Sequence, residues 1–170
     1  MKLYFLIVLS GLLGHTFCPD LINLSQKTTI ISCDKIPELN QKIIVFVDSK
    51  MSKKVGRGEC WDLAAEALNS VGASWDKDFK FGQEIDPKKD CVYPGDIMQF
   101  TNVTVEYAQG NKRFRETMAQ HTAIIYKVNG TGDYVIADQN TSMHGKKVGL
   151  NPLELKNISK GRYQVYRPVK

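Results

Sequence analysis

The stretch that decides the fold runs VGRGECWDLAAEALNSV over residues 55–71. After Cys60 the apolar residues recur at three- and four-residue steps, which predicts an amphipathic helix. Gly56 and Gly58 precede this helix and indicate a flexible loop. Cys60 is therefore expected in the first helical turn, where free backbone N–H groups and the helix dipole favour a thiolate. A buried core cysteine is the alternative interpretation.

A second pattern predicts a β-hairpin that carries a histidine. Residues 121–128 and 133–138 are rich in strand formers, and a short Asn- and Gly-rich segment between them is typical of a turn. If the last residue of the first strand pairs with the first residue of the second, His121 lies opposite Asn140, with Asp138 diagonal to it. Such neighbours share one face within side-chain reach. A slip of one residue would separate them.

These side chains suit nucleophilic catalysis by a cysteine. An imidazole can take the thiol proton and later protonate a leaving amine, while a third group fixes the ring tautomer. Cys60 is the candidate nucleophile and His121 the candidate base, with Asp138 or Asn140 to orient the ring. A hydrogen-bonded strand histidine is the alternative for His121 alone. His144 lies in a polar loop, where a solvated position is expected.

Three blocks of sequence, in this order, resemble the CHAP amidases (cysteine, histidine-dependent amidohydrolases/peptidases) and the related NlpC-type peptidoglycan hydrolases. The resemblance covers roughly residues 39–167. It implies an α+β fold with a papain-like core, in which N-terminal helices pack on an antiparallel sheet. The blocks are Val55-Gly-Arg-Gly-Glu-Cys60-Trp-Asp-Leu-Ala, then Tyr93-Pro-Gly-Asp-Ile-Met-Gln-Phe100, then Gln120-His121-Thr-Ala-Ile-Ile with Ile136-Ala-Asp138-Gln-Asn140.

The resemblance also implies a role for each candidate. Cys60 would be the nucleophile, and its backbone N–H would help to form the oxyanion hole. His121 would be the base. Asp138 matches the acidic residue of the family, which is usually glutamate, and would orient His121. Asn140 matches the asparagine that can share or replace that role.

Other positions are interpreted more simply or depart from the family. Gly95 is expected to form a turn with the preceding proline, and Asp96 to bond local backbone. Glu59 stands where many members carry an amide side chain, which suits a different substrate or weakens the oxyanion hole. The polar insertion Thr104–Met118 is either a substrate-facing loop or a solvent-exposed hairpin extension.

The remaining elements fit the same fold class. Residues 39–51 have apolar positions at helical steps, although their β-branched content would also suit a strand. Runs of strands after helices indicate an antiparallel sheet packed on helices. Strands are expected near residues 95–101, 103–108, 121–128, 133–138 and 162–167.

The N-terminus predicts export. Residues 1–17 carry a positive start and an apolar run too short to span a membrane, which is typical of a secretory signal peptide. Residues 18–38 are expected to be an extended segment and residues 39–170 the catalytic domain. Glycosylation acceptors support export; they lie at Asn23, Asn102, Asn129, Asn140 and Asn157. If Asn140 is catalytic, it should be buried enough to escape glycosylation.

Cysteine spacing and charge limit the cofactors and partners. The four cysteines lack the close paired spacing of a zinc site. In an oxidising compartment, two of Cys18, Cys33 and Cys91 could form a disulfide. The net charge of +5 favours anionic surfaces, but no nucleic-acid motif or phosphate loop is present. We expect a monomer with no cofactor, metal, nucleic-acid partner or stable membrane insertion.

Three functions follow from these features. The leading one is a secreted cysteine amidohydrolase or endopeptidase that cleaves amide bonds in peptidoglycan peptides. The second is a papain-like thiol hydrolase that acts on a non-wall protein or a small amide. The third is a non-catalytic secreted binding module with the same fold.

Overall fold

An antiparallel sheet of six strands and two helices make up the part of the chain that the computed structural model describes, residues 33–170. The sheet order is β1-β6-β2-β3-β4-β5. The expected α+β layout is therefore confirmed, whereas the signal peptide and Cys18 lie outside the described residues. The elements are α1 (Glu38–Lys50), α2 (Cys60–Ser70), β1 (Gln83–Ile85), β2 (Ile97–Gln109), β3 (Lys112–Gly130), β4 (Asp133–Asp138), β5 (Gly149–Glu154) and β6 (Ile158–Arg167).

The first ambiguous segment is a helix, α1, and not a strand. Its buried side chains are Asn40, Ile43 and Val47, which fall on one helical stripe. Val45, on the opposite side, is 68% exposed. Burial of one stripe against the sheet outweighs the weak strand preference of the β-branched residues, because propensity is a small term beside packing.

The core lies on both faces of the sheet. On one face, Ile97 and Ile124 pack with the helices through Leu63 and Leu68 of α2. The strand residues that alternate with these form a second buried cluster. This second cluster includes Met98, Phe100, Ala123, Ile125, Tyr134 and Ile136. Strands buried on both faces keep the backbone around residue 121 well fixed.

The two strands expected near residues 95–101 and 103–108 are one strand, β2. Asn102 interrupts the regular pairing with β6, has φ of 51° and accompanies a register shift between Thr101 and Thr104. A Cβ added at Gly161 on β6 would lie 2.3 Å from the Asn102 carbonyl oxygen, so only glycine permits this close approach. A bulge therefore explains why the pattern breaks without ending the strand.

The insertion Thr104–Met118 is the hairpin extension, since β3 begins at Lys112 and residues 112–118 pair with the end of β2. Its side chains are mostly exposed. Tyr107 and Phe114 stack across the pair with ring centroids 4.9 Å apart. The polar composition thus reflects strands that project beyond the core, and the alternative of a substrate-facing loop is not what the pairing shows.

Two strands had no counterpart in the sequence pattern. β1 is only three residues long, which is too short for alternation to show. β5 contains Pro152 and forms the sheet edge next to β4. Proline is tolerated at an edge because no neighbour needs its missing N–H, but in a sequence it argues against a strand.

A disulfide links the segment before α1 to the segment between β1 and β2. Cys33 and Cys91 form a disulfide with Cα atoms 5.5 Å apart, while Cys60 is free. The expectation that one pair forms and leaves Cys60 reduced is confirmed for the described cysteines. No helix within residues 33–170 is long and apolar enough to cross a membrane.

The Pro-Gly-Asp block is structural, as expected. Gly95 has φ of 90°, and a Cβ there would lie 2.5 Å from the Asn40 carbonyl oxygen. The Asp96 carboxylate accepts a hydrogen bond from the Tyr93 backbone N–H at 2.8 Å. It also accepts from the Asn40 amide at 2.8 Å and from the Arg167 guanidinium at 2.8 and 3.1 Å. This buried group joins α1, β2 and β6.

Candidate active site

Cys60 is the first residue of α2 and is half-buried. Its thiol hydrogen-bonds to His121 and lies against the backbone N–H groups of Trp61 and Thr122. Burial of the thiol raises its pKa, but these hydrogen bonds and the charge of His121 outweigh burial, so the pKa of Cys60 is lowered from 9.0. The start of α2 and strand β3 thus stabilise a thiolate at this position.

His121 is buried at the middle of β3. Its Nε2 atom lies 2.8 Å from Asp138 Oδ2, which leaves Nδ1 for the Cys60 thiol. Burial opposes charging of the ring, but the Asp138 and Cys60 hydrogen bonds and charges outweigh it and raise the pKa of His121 from 6.5 to about 9. The opposite directions of the two pKa shifts favour a thiolate–imidazolium pair.

Asp138, at the end of β4, is 3% exposed. Besides His121 it accepts a hydrogen bond from Asn151, whose Nδ2 lies 2.7 Å from Asp138 Oδ1. Asn151 belongs to β5, the strand that the sequence pattern did not reveal, so this contact was missed. Both carboxylate oxygens are engaged, which holds the imidazole in one orientation.

The register of β3 and β4 accounts for the meeting of His121 and Asp138. At the turn the prediction is wrong, because Asp133 pairs with Gly130 and not with Val128. Two register shifts along the hairpin offset this difference, and Ile124 faces Ala137, as the predicted register requires. The two irregularities therefore offset the error at the turn, and the pairing of Ile124 with Ala137 is the one that a regular hairpin with the predicted turn would give.

Asn140 is not part of the hydrogen-bonded chain. Its side-chain amide donates to Glu59 Oε2 at 2.8 Å, its φ is 63°, and it is exposed. The chain leaves the strand direction at this left-handed residue, so the side chain does not follow the alternation of β4. The contact with the imidazole belongs to Asp138, and the expected burial of Asn140 is wrong.

Gln139, which sequence reasoning missed, connects β4 to the nucleophile loop. It is fully buried, and its Nε2 donates to the carbonyls of Val55 and Glu59 at 2.9 and 2.8 Å. Its Oε1 accepts from the Val55 N–H at 3.1 Å. The only sequence signal was a polar residue at a position where the strand alternation requires burial.

The nucleophile loop is held by a second buried group, Asp62. Its carboxylate accepts from the backbone N–H groups of Arg57 and Glu59 at 2.7 and 3.2 Å and from the Arg57 guanidinium at 2.7 Å. A Cβ at Gly56 would lie 2.9 Å from the Asp62 Cβ, which explains the glycine. The loop before Cys60 is thus ordered by its own helix, as in a helix cap.

His144 is not solvated as expected. It is half-buried, and its Nε2 lies 3.3 Å from the Leu150 carbonyl oxygen. The residues of 33–170 contain no group of three or more His, Cys, Asp or Glu side chains arranged to hold a metal ion. The side chains that meet at this site, a cysteine, a histidine and an aspartate, suit thiol chemistry.

Comparison with known families gives one match over most of the chain. The family described as the AIM3/BBC1 cysteine proteinase-fold domain matches residues 37–170. Among curated proteins, Altered inheritance of mitochondria protein 3 of Debaryomyces hansenii is 30% identical over 141 residues, covering 72% of this chain. The chain spans 15% of the length of that relative.

Two solved structures resemble the fold. The crystal structure of Ly7917 aligns with a TM-score of 0.43 and 16% identity over 75% of this chain and 62% of that one. The structure titled Ly7917 with the hydrolyzing product of MDP gives a TM-score of 0.46 and 14% identity over 76% of this chain and 62% of that one. At these scores neither likeness bears on activity.

Proposed function

Since the chain belongs to the AIM3/BBC1 cysteine proteinase-fold family, we propose that it is a thiol hydrolase that cleaves an amide bond in a protein or a small molecule. The observation that carries the proposal is the buried hydrogen-bonded chain of Cys60, His121 and Asp138. The pKa shifts of the thiol and the imidazole are opposite in direction, as nucleophilic catalysis requires.

The proposed reaction proceeds through an acyl-enzyme. The Cys60 thiolate attacks the carbonyl carbon, and we propose that the backbone N–H of Cys60, at the start of α2, donates to the oxygen that becomes negative. The His121 imidazolium then gives its proton to the leaving amine, which breaks the C–N bond and leaves a thioester. Neutral His121 takes a proton from water, the resulting hydroxide attacks the thioester, and the acid is released. Asp138 keeps Nε2 protonated throughout.

The nature of the substrate is part of the proposal. The matching family and the name of the curated relative refer to a cysteine proteinase fold and to mitochondrial inheritance, and neither refers to cell walls. The second sequence-based function, hydrolysis of a non-wall protein or small amide, is therefore favoured over the peptidoglycan prediction.

Export is also proposed. The Cys33–Cys91 disulfide is typical of an oxidising compartment, and the acceptors Asn102 and Asn129 are exposed. Expression in a eukaryotic secretory host should give a product whose mass falls on treatment with an N-glycosidase. A mass that does not change, together with retention in the cell, would contradict export.

The first test is the reactivity of Cys60, measured by iodoacetamide labelling and peptide mapping. We expect labelling well below the usual thiol pH range, and a large loss of this reactivity at neutral pH in His121→Gln. His144→Gln is the matched control, since it removes the other histidine of residues 33–170 and should leave the rate unchanged. If Cys60 is labelled as slowly as an ordinary thiol, and the rate is the same in His121→Gln, the result would contradict the hydrolase and favour the non-catalytic binding module.

The second test is hydrolysis. The protein and Cys60→Ala are incubated with a peptide library and with purified peptidoglycan, and new amino termini are identified by mass spectrometry. Cleavage of peptides by the wild type alone supports the proposal. Release of fragments from peptidoglycan alone would instead restore the wall substrate.

A further inference from the structure

A pair of lysines, one from the nucleophile loop and one from a distant loop, packs against Gly58. Gly58, two residues before Cys60, is buried although the preceding Gly56 and Arg57 are exposed. A Cβ added to Gly58 would lie 2.8 Å from Lys146 Cβ and 3.1 Å from Lys54 Cδ. The aliphatic stems of both lysines therefore cover this glycine, and each ammonium group extends into solvent from the same place.

Backbone pairing between two distant loops fixes this arrangement. The Ser52 N–H donates to the Val148 carbonyl at 2.9 Å, and the Val148 N–H donates to the Lys53 carbonyl at 2.9 Å. Met51 and Val148 also form a parallel bridge. The segments that carry Lys54 and Lys146 are thus joined, and the lysine pair is a feature of the fold.

The charges around Cys60 are not balanced. Arg57 is neutralised by Asp62 at 2.7 Å, and Lys146 by Glu59 at 3.2 Å. Within residues 33–170 the Lys54 ammonium has no carboxylate partner, and the side chain is exposed. Glu59, the residue just before the nucleophile, is engaged by Asn140 as well as Lys146. The net charge that a substrate meets on this side is positive.

We propose that Lys54, supported by Lys146, selects substrates that carry a carboxylate close to the scissile amide, such as peptides with Asp or Glu on the Gly58 side of Cys60. This inference rests on the proposed hydrolase function. An extended peptide advances roughly 3.3 Å per residue. A carboxylate within a few residues of the scissile bond is therefore no farther from that bond than the Debye length, which is about 10 Å at 0.1 M salt. An ammonium group without a partner attracts such a group without first having to break an ion pair.

The position also explains the glutamate at residue 59. An uncompensated carboxylate beside the nucleophile would repel an acidic substrate and disfavour the thiolate. The ion pair with Lys146 offsets that charge, and the hydrogen bond from the neutral Asn140 amide holds the carboxylate in place, so Lys54 is left to act. Lys146 therefore has two effects. It contributes a positive charge of its own, and it neutralises Glu59, whose charge would be unpaired if Lys146 were removed.

The charge can be measured without knowing the substrate. Cys60 is alkylated in parallel by iodoacetate, which is anionic, and iodoacetamide, which is neutral, and the ratio of the two rates is compared between variants. Any change in the pKa of Cys60 affects both reagents and cancels in the ratio. In Lys54→Ala we expect the ratio to fall about two- to fivefold at low ionic strength, and in Lys54→Glu further. Added salt should reduce both effects.

Lys53→Ala is the matched control. Lys53 is exposed and adjacent in sequence, but its ammonium group donates to the Ser49 carbonyl at 2.9 Å, at the end of α1. Its removal changes the net charge by the same amount and should leave the ratio near the wild-type value. Equal falls in Lys53→Ala and Lys54→Ala would show a general charge effect and would overturn the proposal.

Peptide hydrolysis gives the second measurement. Peptides found to be cleaved are resynthesised in pairs that differ only as Asp versus Asn near the scissile bond. The wild type should prefer the Asp member in kcat/KM, and Lys54→Glu should lose or reverse that preference. A Cys60 that reacts rapidly in a His121-dependent manner, with no preference and no change in the reagent ratio, would retain the hydrolase and refute the lysine proposal. An unreactive Cys60 would refute both.

Discussion

Two buried carboxylates, Asp96 and Asp138, have nearly the same surroundings. Each is at most 3% exposed, each accepts a hydrogen bond from an asparagine amide, and each contacts a cationic side chain. The cation is Arg167 at Asp96 and His121 at Asp138. The first cluster joins helix and sheet, whereas the second ends at the half-buried Cys60.

The difference lies in the cation. An arginine keeps its proton at any pH a protein tolerates, so the Asp96 cluster can only hold the structure together. An imidazole can give its proton up and has a second nitrogen for another partner. The same carboxylate and amide therefore serve structure in one place and, by our proposal, chemistry in the other. The four predictions below test this division, from the largest expected effect to the smallest.

Replacing Asp138 by Asn should reduce kcat/KM by about 10²–10⁴-fold, because the imidazole loses its orienting anion and is offered an amide N–H instead. Wild-type activity should fall as pH rises through about 9, where His121 loses its proton. In Asp138→Asn this alkaline limb should move to lower pH, since the removed carboxylate is what raises the pKa of His121.

A pH profile of kcat/KM on a cleaved peptide checks this prediction. Thermal unfolding controls for loss of structure. An alkaline limb that stays near pH 9 in Asp138→Asn would show that Asp138 does not control the imidazole.

Replacing Arg167 by Met should cost about 3–5 kcal/mol in the free energy of unfolding, since it leaves the buried Asp96 charge without its partner. Denaturant unfolding measures this. The rate of Cys60 alkylation in the folded fraction should stay near the wild-type value. Arg162→Met, at an exposed position of the same strand, is the control and should change stability little. A loss of thiol reactivity equal to that in Asp138→Asn would remove the distinction between the two clusters.

Replacing Gln139 by Ala should destabilise the protein by roughly 2–3 kcal/mol, because buried polar groups of Val55 and Glu59 lose their partner. Cys60 alkylation should also slow, since these bonds position the nucleophile loop. Gln41→Ala removes an exposed glutamine that bonds the Ile36 carbonyl and should cost no more than about 0.5 kcal/mol. A wild-type alkylation rate in Gln139→Ala would contradict the positioning role.

Replacing Asn140 by Ala should have the smallest effect. The exposed amide bonds only Glu59 among the described contacts, so we expect less than about 1 kcal/mol in stability. The pH profile of kcat/KM on a cleaved peptide should keep its shape. A shift of the imidazole limb comparable to that in Asp138→Asn would return the orienting role to Asn140.

Local patterns in the sequence predicted most of the elements that hold the site. The helix at Cys60, the strand at His121 and the strand that ends at Asp138 each show their own periodicity within a few residues. The free state of Cys60 also followed from its surroundings. Such features depend on neighbours along the chain, and a sequence displays those neighbours directly.

Predictions that depended on a count of paired residues were weaker. The register at the turn was wrong and the alignment at the site nevertheless holds, because two irregularities along the hairpin offset each other. A bulge adds a residue to one strand for reasons of twist and packing that the alternation pattern does not contain. The continuity of β2 across Asn102 and the edge strand with Pro152 were missed for the same kind of reason.

The sequence by itself determined that a helix-start cysteine, a strand histidine and two polar residues would be candidates for one site. Only the tertiary structure decided between Asp138 and Asn140, since the left-handed turn at Asn140 redirects its side chain to Glu59. It also placed Gln139 under the nucleophile loop and Lys54 and Lys146 against Gly58. These contacts join segments more than 80 residues apart in the chain, and their geometry follows from how the sheet packs on α2 and not from any local pattern.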